Sequence, residues 1–465
     1  MKCVESRQLH KEDWTQERRV ELGNNVGVRS VSMASEKGRN NGNEYATGLL
    51  EKIVDRNNLN QAYKRVKSNK GSHGVDGMKV DELLQYLKQH GDELKQSIME
   101  GEYNPQPVRR VGKPKPDGGI RILGIPTVLD RMIQQAIAQI LSPIFEEKFS
   151  NNSYGFRPNR SAKQAVLKAK EYIEQGYKWV VDIDLAKYFD TVNHDILMAL
   201  IAKEIRDKRV LKLIRKYLQS GVMINGVTVE NEEGCPQGGP LSPLLSNIML
   251  NELDKELEKR GHKFCRYADD GNIFVKSKKA GERVMTSITN FLESKLKLKV
   301  NKEKSAVDRP SKRKFLGFSF YHRKGGVGIR IHEKSIKRFM EKVREITSRS
   351  NGKNISWKLE KLRQSITGWV NYFGISEMKS HAQRLDEWIR RRIRMCFWKQ
   401  WKKIKTKHDN LVKLGIDNKK AWQFANTRKS YWHTANSHIL ATTLTNKYLK
   451  SIGYQSISER YSLVH

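Results

Sequence analysis

An α+β architecture, with a mixed region up to about residue 325 and an almost entirely helical region after it, is predicted by three features of the sequence. Strand-like segments at 179–185, 263–276 and 315–320 are separated by stretches of helical periodicity. Amphipathic helical patterns at 336–346 and 357–372 dominate the later part. Strands that are separated by helices and that include a hairpin are typical of α+β domains. The 465 residues show no internal repeat, so we expect several different domains.

The chain is strongly basic. Its 88 Lys and Arg outnumber its 51 Asp and Glu, which gives a formal net charge of +37 and a pI near 9.9. Segment 390–429 contains 14 Lys or Arg against two Asp. In or beside it lie Trp388, Trp398, Trp401, Trp422 and Trp432. Basic residues interleaved with aromatic side chains favour nucleic acid over a membrane surface as the anionic partner.

Composition argues against membrane, secreted and zinc-finger proteins. The longest apolar run, 196–202, has seven residues, whereas a spanning helix needs about 20. The first 30 residues contain no apolar segment typical of a secretory signal, so we expect a cytoplasmic protein with no membrane partner. The four cysteines form no C-x-x-C pair, so oxygen ligands must hold any metal.

The N-terminal part is predicted to be a flexible lead-in followed by two helices and a basic hairpin. Residues 1–45 are polar and lack periodicity. Helical periodicity begins near Leu49, a glycine-punctuated turn follows at 70–77, and a second helix is expected at 81–99. Two prolines and an Asp-Gly-Gly run within 111–124 indicate a hairpin or loop with basic arms.

Helices are expected through the middle of the chain between the strand-like segments. One is predicted at 130–145, and another begins after Pro158 with Ser161 as its N-cap. A third begins near Asn193, and a fourth, at 241–258, has an apolar stripe.

The hairpin segment 264–275 contains two adjacent acids. Asp269 and Asp270 lie between β-rich flanks, and the Asp270-Gly271 step favours a tight hairpin turn that holds both carboxylates at its tip. Adjacent aspartates are also common in plain surface turns, which is the alternative interpretation of this segment taken alone.

A second strand also contains acids. Alternation along 179–185 puts Asp182 and Asp184 on one face of an apolar strand, which is costly unless a cation compensates the charge. Two Mg²⁺ ions about 3.5–4 Å apart, bridged by carboxylates of neighbouring strands, catalyse phosphoryl transfer in many enzymes. Asp184 and Asp269 are therefore the candidate ligands, with Asp270 in support.

Sequence blocks that follow one another along the chain resemble those of a known family. The blocks are R-I-L-G-I-P-T (121–127), Y-G-F-R-P-N-R-S (154–161), the strand from Asp184 to Phe189, P-Q-G-G-P-L-S-P (236–243), Y-A-D-D (267–270), L-K-V-N-x-x-K-S (298–305) and F-L-G-F (315–318). From about 48 to 455 the chain resembles the group II intron-encoded reverse transcriptase/maturases of bacteria. This resemblance implies a right-hand polymerase with fingers and palm, an all-helical thumb and a basic helical C-terminal region.

The resemblance also implies the domain organisation. Its regions would be a lead-in (1–45), an N-terminal extension with the start of the fingers (46–110), a fingers/palm reverse transcriptase domain (111–325), a thumb or maturase domain (326–392) and a basic DNA-binding region (393–465). No cysteine follows Cys396, so the zinc-containing endonuclease of larger relatives is expected to be absent, as in the compact class C proteins.

Roles for individual residues follow from the same resemblance. The catalytic, metal-binding residues would be Asp184, Asp269 and Asp270. Lys115 and Arg121 would clamp the triphosphate, Phe189 would exclude a 2′-hydroxyl, Gln237 would lie beside the nascent base pair, and Lys304 would assist near the triphosphate. Nucleic-acid contacts would come from Arg157, Arg160, Arg390, Arg391, Arg392, Arg394, Lys402 and Lys403.

The implied function is that of an RNA-directed DNA polymerase, a nucleotidyltransferase that copies intron RNA during retrohoming. It would use two Mg²⁺ ions, with Mn²⁺ as a substitute, together with dNTPs, an RNA template, a DNA primer and a DNA target site. It would also bind its parent group II intron RNA to assist splicing, as a cytoplasmic ribonucleoprotein.

Two alternatives stay open at this point. One is a splicing maturase with an inactive polymerase, against which the retention of all three palm acids counts. The other is a reverse transcriptase of another lineage, such as a retron, a diversity-generating element or a CRISPR-associated enzyme. The glycine-punctuated N-terminal block and the long helical thumb with its basic tail count against that lineage.

Overall fold

The computed structural model describes residues 48–114, 119–224, 227–229 and 233–464. The chain divides into two compact units, Met1–Arg309 and Pro310–His465. The predicted flexible lead-in, residues 1–45, lies outside the described residues. The α+β prediction is confirmed, because small sheets and many helices build the first unit and helices dominate the second.

The first unit contains nine α-helices among its described residues. They are α1 (Leu49–Ile53), α2 (Arg56–Asn69), α3 (Leu83–Glu100), α4 (Val128–Glu146), α5 (Ala162–Glu174), α6 (His194–Ala202), α7 (Lys208–Gln219), α8 (Ser242–Lys259) and α9 (Lys278–Lys295). The predicted N-cap Ser161 is confirmed, and Asn193 caps the helix that was predicted to begin near it. Ser161 and Gln164 form a reciprocal capping box at α5, and the Asn193 side chain accepts from the Ile196 backbone N–H at α6.

Two four-stranded sheets belong to the same unit. Their strands are β1 (Val108–Pro114), β2 (Ile120–Ile125), β3 (Trp179–Ile183), β4 (Val222–Ile224), β5 (Val227–Val229), β6 (Lys263–Tyr267), β7 (Asp270–Val275) and β8 (Ala306–Asp308). One sheet has the order β2-β1-β4-β5, and its antiparallel β1–β2 pair is the predicted basic hairpin. The other has the order β6-β7-β3-β8, with β3 antiparallel to both of its neighbours.

One face of the sheet that contains β3 packs into the main core. Val181 and Ile183 of β3, Phe264 of β6 and Ile273 of β7 are buried in one cluster with apolar residues of α4, α8 and α9. Period-two alternation turns Asp182 toward the opposite face, where it is half-buried. The apolar helices therefore fix the sheet from one side and leave the acids on the other.

The second unit begins with a hairpin and continues as helices. The hairpin joins β9 (Phe318–Arg323) to β10 (Gly326–Ile331). The domain boundary predicted between residues 325 and 326 would separate these paired strands. The hairpin instead belongs to the second, mostly helical unit. The predicted strand 315–320 starts later than expected, because Leu316 and Gly317 have positive φ values and form a turn before β9.

Nine helices follow among the described residues of the second unit. They are α10 (Glu333–Ile346), α11 (Ile355–Phe373), α12 (Lys379–Gln400), α13 (Ile404–Lys413), α14 (Asn418–Ala425), α15 (Tyr431–Thr434), α16 (His438–Thr443), α17 (Asn446–Ser451) and α18 (Ile457–Ser462). Apolar side chains of α11 and α12, such as Leu362, Ile366 and Ile389, are fully buried. Among all described residues, no helix is both long and apolar enough to cross a lipid bilayer.

Candidate functional site

The hairpin of β6 and β7 closes at Ala268 and Asp269. Tyr267 pairs with Asp270, and Ala268 has a φ of 56°, so the positive φ lies at the first central position of the turn. A hairpin turn in this segment is confirmed, but its predicted position at Asp270-Gly271 is wrong, because Gly271 already lies inside β7. Asp269 is exposed in the turn, and Asp270 is the first residue of the strand.

Strand β3 brings Asp184 to the same end of the sheet. The β3–β7 register pairs Ile183 with Gly271, so the next residues in each direction are Asp184 and Asp270. The Asp184 backbone N–H donates to the Ser305 hydroxyl at 3.0 Å, and its carbonyl accepts from the Asn301 N–H at 2.8 Å. The block that contains Asn301 and Ser305 thus positions the end of β3.

The register places the backbones of the three aspartates at one end of the sheet, Asp184 after a strand and Asp269 and Asp270 at a hairpin turn. Within the part of the chain that the structure describes, no three or more His, Cys, Asp or Glu side chains form a preformed metal-binding site. Magnesium does not require one, because it usually keeps several waters and binds through one or two carboxylates plus substrate phosphates. Asp184, Asp269 and Asp270 therefore fit a magnesium site as a donor set of hard oxygens.

A buried ion pair supports the hairpin turn. Arg266 of β6 is 2% exposed and Asp254 of α8 is fully buried, and two guanidinium nitrogens donate to the Asp254 carboxylate at 2.8 and 2.5 Å. The third guanidinium nitrogen of Arg266 donates at 3.0 Å to the Asn247 side-chain oxygen and at 3.0 Å to the Ala268 carbonyl. The pair therefore connects helix α8 directly to the backbone of the turn.

This ion pair was not predicted, although the sequence carried a signal for it. Asp254 lies on the apolar stripe of α8, one helical turn after Leu250 and three residues before Leu257. An acid on a buried stripe requires a charged partner. The sequence alone did not identify Arg266 as that partner.

The Y-G-F-R-P-N-R-S block packs against the same turn. Asn247 donates to the Gly155 carbonyl at 2.8 Å, and a Cβ at position 155 would lie 2.3 Å from the Ala268 backbone nitrogen. Glycine is therefore required at 155 by the close approach of two backbones. The Tyr154 N–H also donates to the Arg266 carbonyl at 2.8 Å. The block therefore supports the backbone of the turn that contains Asp269, a candidate catalytic residue.

One of the two arginines of this block does not lie as predicted. Arg157 is buried, and its guanidinium donates to the Glu146 carboxylate and to the carbonyls of Ser150 and Ser153. Since both terminal nitrogens and Nε have protein acceptors, its predicted contact with nucleic acid is not supported, and its charge serves the fold. Arg160 is half-buried and donates to Asn151.

Phe189, a candidate nucleotide-contacting residue, follows β3 and Asp184 along the chain. Phe189 is half-buried in a single 3₁₀ turn, Tyr188–Asp190, and its ring lies edge-on to Tyr188 at 5.1 Å between centroids. Its carbonyl accepts from the Cys235 N–H at 2.7 Å. Burial raises the pKa of the Cys235 thiol to about 11, so this cysteine is neutral at physiological pH.

The P-Q-G-G loop contacts strand β2. The Gly124 N–H donates to the Gln237 carbonyl at 2.9 Å, and Gly238, with a φ of 139°, approaches the Gly124 carbonyl so closely that a Cβ would lie 2.5 Å away. This contact brings Gln237 next to the strand that contains Arg121. Lys115 lies outside the described residues, and of Arg121 the structure describes the backbone, paired with Lys113.

Lys304 lies in the block that supports Asp184. Its side chain is exposed, and its backbone N–H donates to the Asn301 side-chain oxygen at 3.3 Å, which shapes a tight turn. The turn places Lys304 one residue before Ser305, the residue that bonds the Asp184 backbone.

The basic C-terminal segment contains half-buried arginines and exposed lysines. Three of the four predicted arginines of α12 bond to carbonyls or a hydroxyl within the unit: Arg391 to Trp432, Arg392 to Thr347, and Arg394 to Leu444. Burial lowers the pKa of the Arg392 and Arg394 guanidiniums, as expected for half-buried cations. Arg390 is half-buried, whereas Lys402 and Lys403 are exposed.

This difference predicts which charges bind nucleic acid. Replacing Lys402 and Lys403 by Gln is expected to flatten the dependence of log Kd for RNA on log salt by about 1.4, at about 0.7 per single-strand phosphate contact. Fluorescence anisotropy over a salt series measures the slope. The matched control is Lys88→Gln with Lys95→Gln, two exposed lysines of α3. Equal slopes for the two double variants would contradict a specific role for 402 and 403.

Comparison with protein-family models gives two matches in this chain. Residues 113–320 match the reverse transcriptase (RNA-dependent DNA polymerase) model. Residues 336–415 match the group II intron, maturase-specific domain. The first match contains the carboxylates and the P-Q-G-G loop, and the second covers most of α10 to α13.

Individual relatives agree with these matches. The chain is 36% identical over 299 aligned residues to protein YkfC of Escherichia coli (strain K12), with 56% of this chain and 78% of that protein covered. It is 30% identical over 358 residues to the group II intron-encoded protein LtrA of Lactococcus lactis subsp. cremoris, covering 63% of this chain and 59% of LtrA. A putative COX1/OXI3 intron 2 protein of Saccharomyces cerevisiae is 32% identical, with 59% and 31% covered.

The likeness to solved structures is weaker. A partial Cas6-RT-Cas1–Cas2 complex overlaps with a TM-score of 0.35 and 22% identity, covering 53% of this chain and 43% of that one.

The chain spans 59% of LtrA and less than a third of the yeast protein.

Proposed function

Since the chain belongs to the family of group II intron-encoded reverse transcriptases and maturases and carries an RNA-directed DNA polymerase domain, we propose that it copies intron RNA into DNA during intron mobility and assists splicing of that RNA. Its substrates would be dNTPs, an RNA template with a DNA primer, and a DNA target site. The single observation that carries the polymerase is the meeting of Asp184 with Asp269 and Asp270 at one end of β3 and β7.

In the proposed reaction the primer 3′-hydroxyl gives its proton to water and its oxygen forms a bond to the α-phosphorus of a dNTP, while the bond from that phosphorus to pyrophosphate breaks. Asp184 and Asp269 would hold the metal ions, with Asp270 adding negative charge beside them. Bound Mg²⁺, or Mn²⁺ in its place, would stabilise both the attacking and the leaving oxygens. The protein's part is to fix these carboxylates rigidly, through Ser305 and Asn301 on one side and Arg266 on the other.

The nucleotide would enter beside Phe189 and the P-Q-G-G loop. The backbone contact of Gln237 with Gly124 ties that loop to β2, whose basic arm carries Arg121. Lys115, Arg121 and Lys304 would offset the charge that develops on pyrophosphate. Phe189 would lie under the sugar and leave no room for a 2′-hydroxyl.

A smaller residue at 189 is expected to relax sugar selection. Phe189→Ala should lower the preference for dNTP over NTP by about 10- to 100-fold, the usual range for a single apolar contact that discriminates a hydroxyl. Steady-state kcat/KM for dTTP and UTP on one primer–template measures it. Phe189→Tyr, which keeps the ring, is the control. If Phe189→Ala lowers the melting temperature and leaves the preference unchanged, Phe189 is a core residue and no steric filter.

Primer extension on a defined RNA template tests the polymerase proposal. The native chain should make DNA complementary to the template when Mg²⁺ is present and none when it is chelated. A folded protein that binds the RNA tightly yet extends no primer would leave the splicing maturase with an inactive polymerase as the better proposal.

Assistance of splicing is the second proposed activity. The maturase-specific match at 336–415 and the exposed lysines of the C-terminal region support it. It requires no catalytic side chain, because the intron RNA carries out the splicing chemistry. Addition of the protein should restore splicing of its parent intron at a Mg²⁺ concentration at which the RNA alone is inactive, and Asp269→Asn should retain that effect. Splicing unaffected by the protein would contradict this role.

Location and lineage belong to the same proposal. A strongly basic chain of this family would work in the cytoplasm as a ribonucleoprotein with its intron. A reverse transcriptase of another lineage, such as a retron, a diversity-generating element or a CRISPR-associated enzyme, would lack intron RNA domains beside its gene. Inspection of the flanking nucleotide sequence distinguishes these cases.

A further inference from the structure

Phe156 combines two unfavourable features beside the proposed active site. Its side chain is 57% exposed, and its φ of 56° lies in the left-handed region, which a bulky residue rarely adopts. A left-handed backbone at a bulky residue is costly and persists only where the surrounding structure fixes it. Here it occurs at a residue whose ring is also exposed.

The neighbours of Phe156 explain how this conformation is maintained. Gly155 is pressed against the Ala268 backbone, and its carbonyl accepts from Asn247. Arg157 is buried, with its guanidinium bonded to Glu146. Because the residues on both sides are fixed to the interior, the ring of Phe156 is held outward on a rigid backbone.

The ring lies next to the hairpin that contains Asp269. Its centroid is 6.3 Å from that of Tyr267, the residue that precedes the turn, and the two planes are inclined by 43°. Tyr267 is half-buried, and Phe156 is exposed beside it. An apolar surface of two aromatic rings thus adjoins the carboxylates.

The sheet order determines which side of the site this is. In the order β6-β7-β3, Tyr267 is at the β6 side, whereas Asp184 and Phe189 follow β3. The proposed nucleotide pocket lies on the β3 side. With the nucleotide on the β3 side, as proposed above, the duplex that has already been synthesised would lie toward β6.

We propose that Phe156 is a primer–template contact residue, whose ring packs against the sugars of the duplex just behind the primer 3′ end. This inference rests on the proposed polymerase function. A sugar surface suits an apolar ring because the minor groove of an A-form hybrid is wide and shallow and exposes its riboses. Such a contact is independent of base sequence, as a polymerase requires.

Binding of a primer–template without catalysis tests this proposal. The dissociation constant of a fluorescein-labelled DNA primer on an RNA template is measured by anisotropy in EDTA, together with the melting temperature of each variant. Phe156→Gly should weaken binding by about fivefold or more, the lower end of the loss on removing one aromatic contact to nucleic acid. Its melting temperature should stay unchanged or rise, because glycine adopts a positive φ without strain.

Two further variants complete the experiment. Asn159→Gly changes a residue of the same loop with a φ of 58° and removes no ring, so its affinity should equal that of the native chain. Phe156→Tyr should retain native affinity. If Phe156→Gly binds like the native chain, or if its melting temperature falls as a core residue's would, the proposal is overturned. A native chain that binds but extends no primer would instead contradict the polymerase function.

Discussion

Replacing Asp269 by Asn is expected to lower the rate of nucleotide addition by about 10³-fold or more, the range seen when one group that stabilises developing charge is removed. Asn is nearly the same shape as Asp but carries no charge to hold a cation. The turn itself should persist, because Ala268 provides its positive φ and Arg266 bonds the Ala268 carbonyl. The loss would therefore report chemistry and not unfolding.

Asp182→Asn is the matched control for this prediction. Asp182 lies on β3 two residues before Asp184, where it pairs in register with Asn272 and Ala306 and not with the turn. Its replacement should leave the rate close to the native value, because Asp182 lies outside the turn that contains Asp269. Single-turnover addition of one dNTP measures both variants. Equal losses of rate for Asp182→Asn and Asp269→Asn would contradict the claim that Asp269 has a catalytic role that Asp182 lacks.

Breaking the buried pair of Arg266 and Asp254 is expected to have the largest effect on stability. Arg266→Met leaves the Asp254 carboxylate, which is 0% exposed, without a counter-charge, and this costs about 3–5 kcal/mol of unfolding free energy. Denaturant unfolding followed by circular dichroism gives the value. The proposed contribution of the pair also includes orientation of the turn, which stability alone does not reveal.

A double variant separates those two contributions. Arg266→Met with Asp254→Leu removes both charges, and apolar replacement of a buried pair commonly restores stability. The Ala268 carbonyl still loses its guanidinium donor. We expect stability to recover by more than half of the single variant's loss while the rate of nucleotide addition stays at least about tenfold below native, as for a displaced catalytic group. Full recovery of the rate would show that the pair is structural alone.

The sequence predicted local elements better than long-range partners. Helix α8 was expected at 241–258 and lies at Ser242–Lys259, because its apolar stripe and Pro243 near its start are local signals. The turn between β6 and β7 was placed two residues too late. Asp-Gly is a strong turn signal, but Ala268 takes the positive φ under the constraint of Gly155 packed against it. That constraint comes from a segment more than 100 residues away.

Charges proved hardest to assign from the sequence. Arg157 was expected on nucleic acid and is buried on Glu146, and Arg391 donates to the carbonyl of Trp432. The N–H groups of a guanidinium donate to protein carbonyls as well as to phosphates. The presence of an arginine in the sequence therefore does not show whether its partner is the protein itself or a nucleic acid. The position of Asp184 beside Asp270 was better predicted, because strand alternation and the sequence blocks agree on it.

Mapping the metal site by iron-mediated cleavage tests most directly whether β3 and the β6–β7 turn form one catalytic centre. Fe²⁺ that replaces Mg²⁺ generates radicals with ascorbate and peroxide, which cut the polypeptide beside its ligands. We expect cuts near Asp184 and near Asp269, both suppressed by excess Mg²⁺ and both lost in Asp184→Asn. Cuts at only one of the two segments, or cuts that persist in Asp184→Asn, would contradict a shared metal centre.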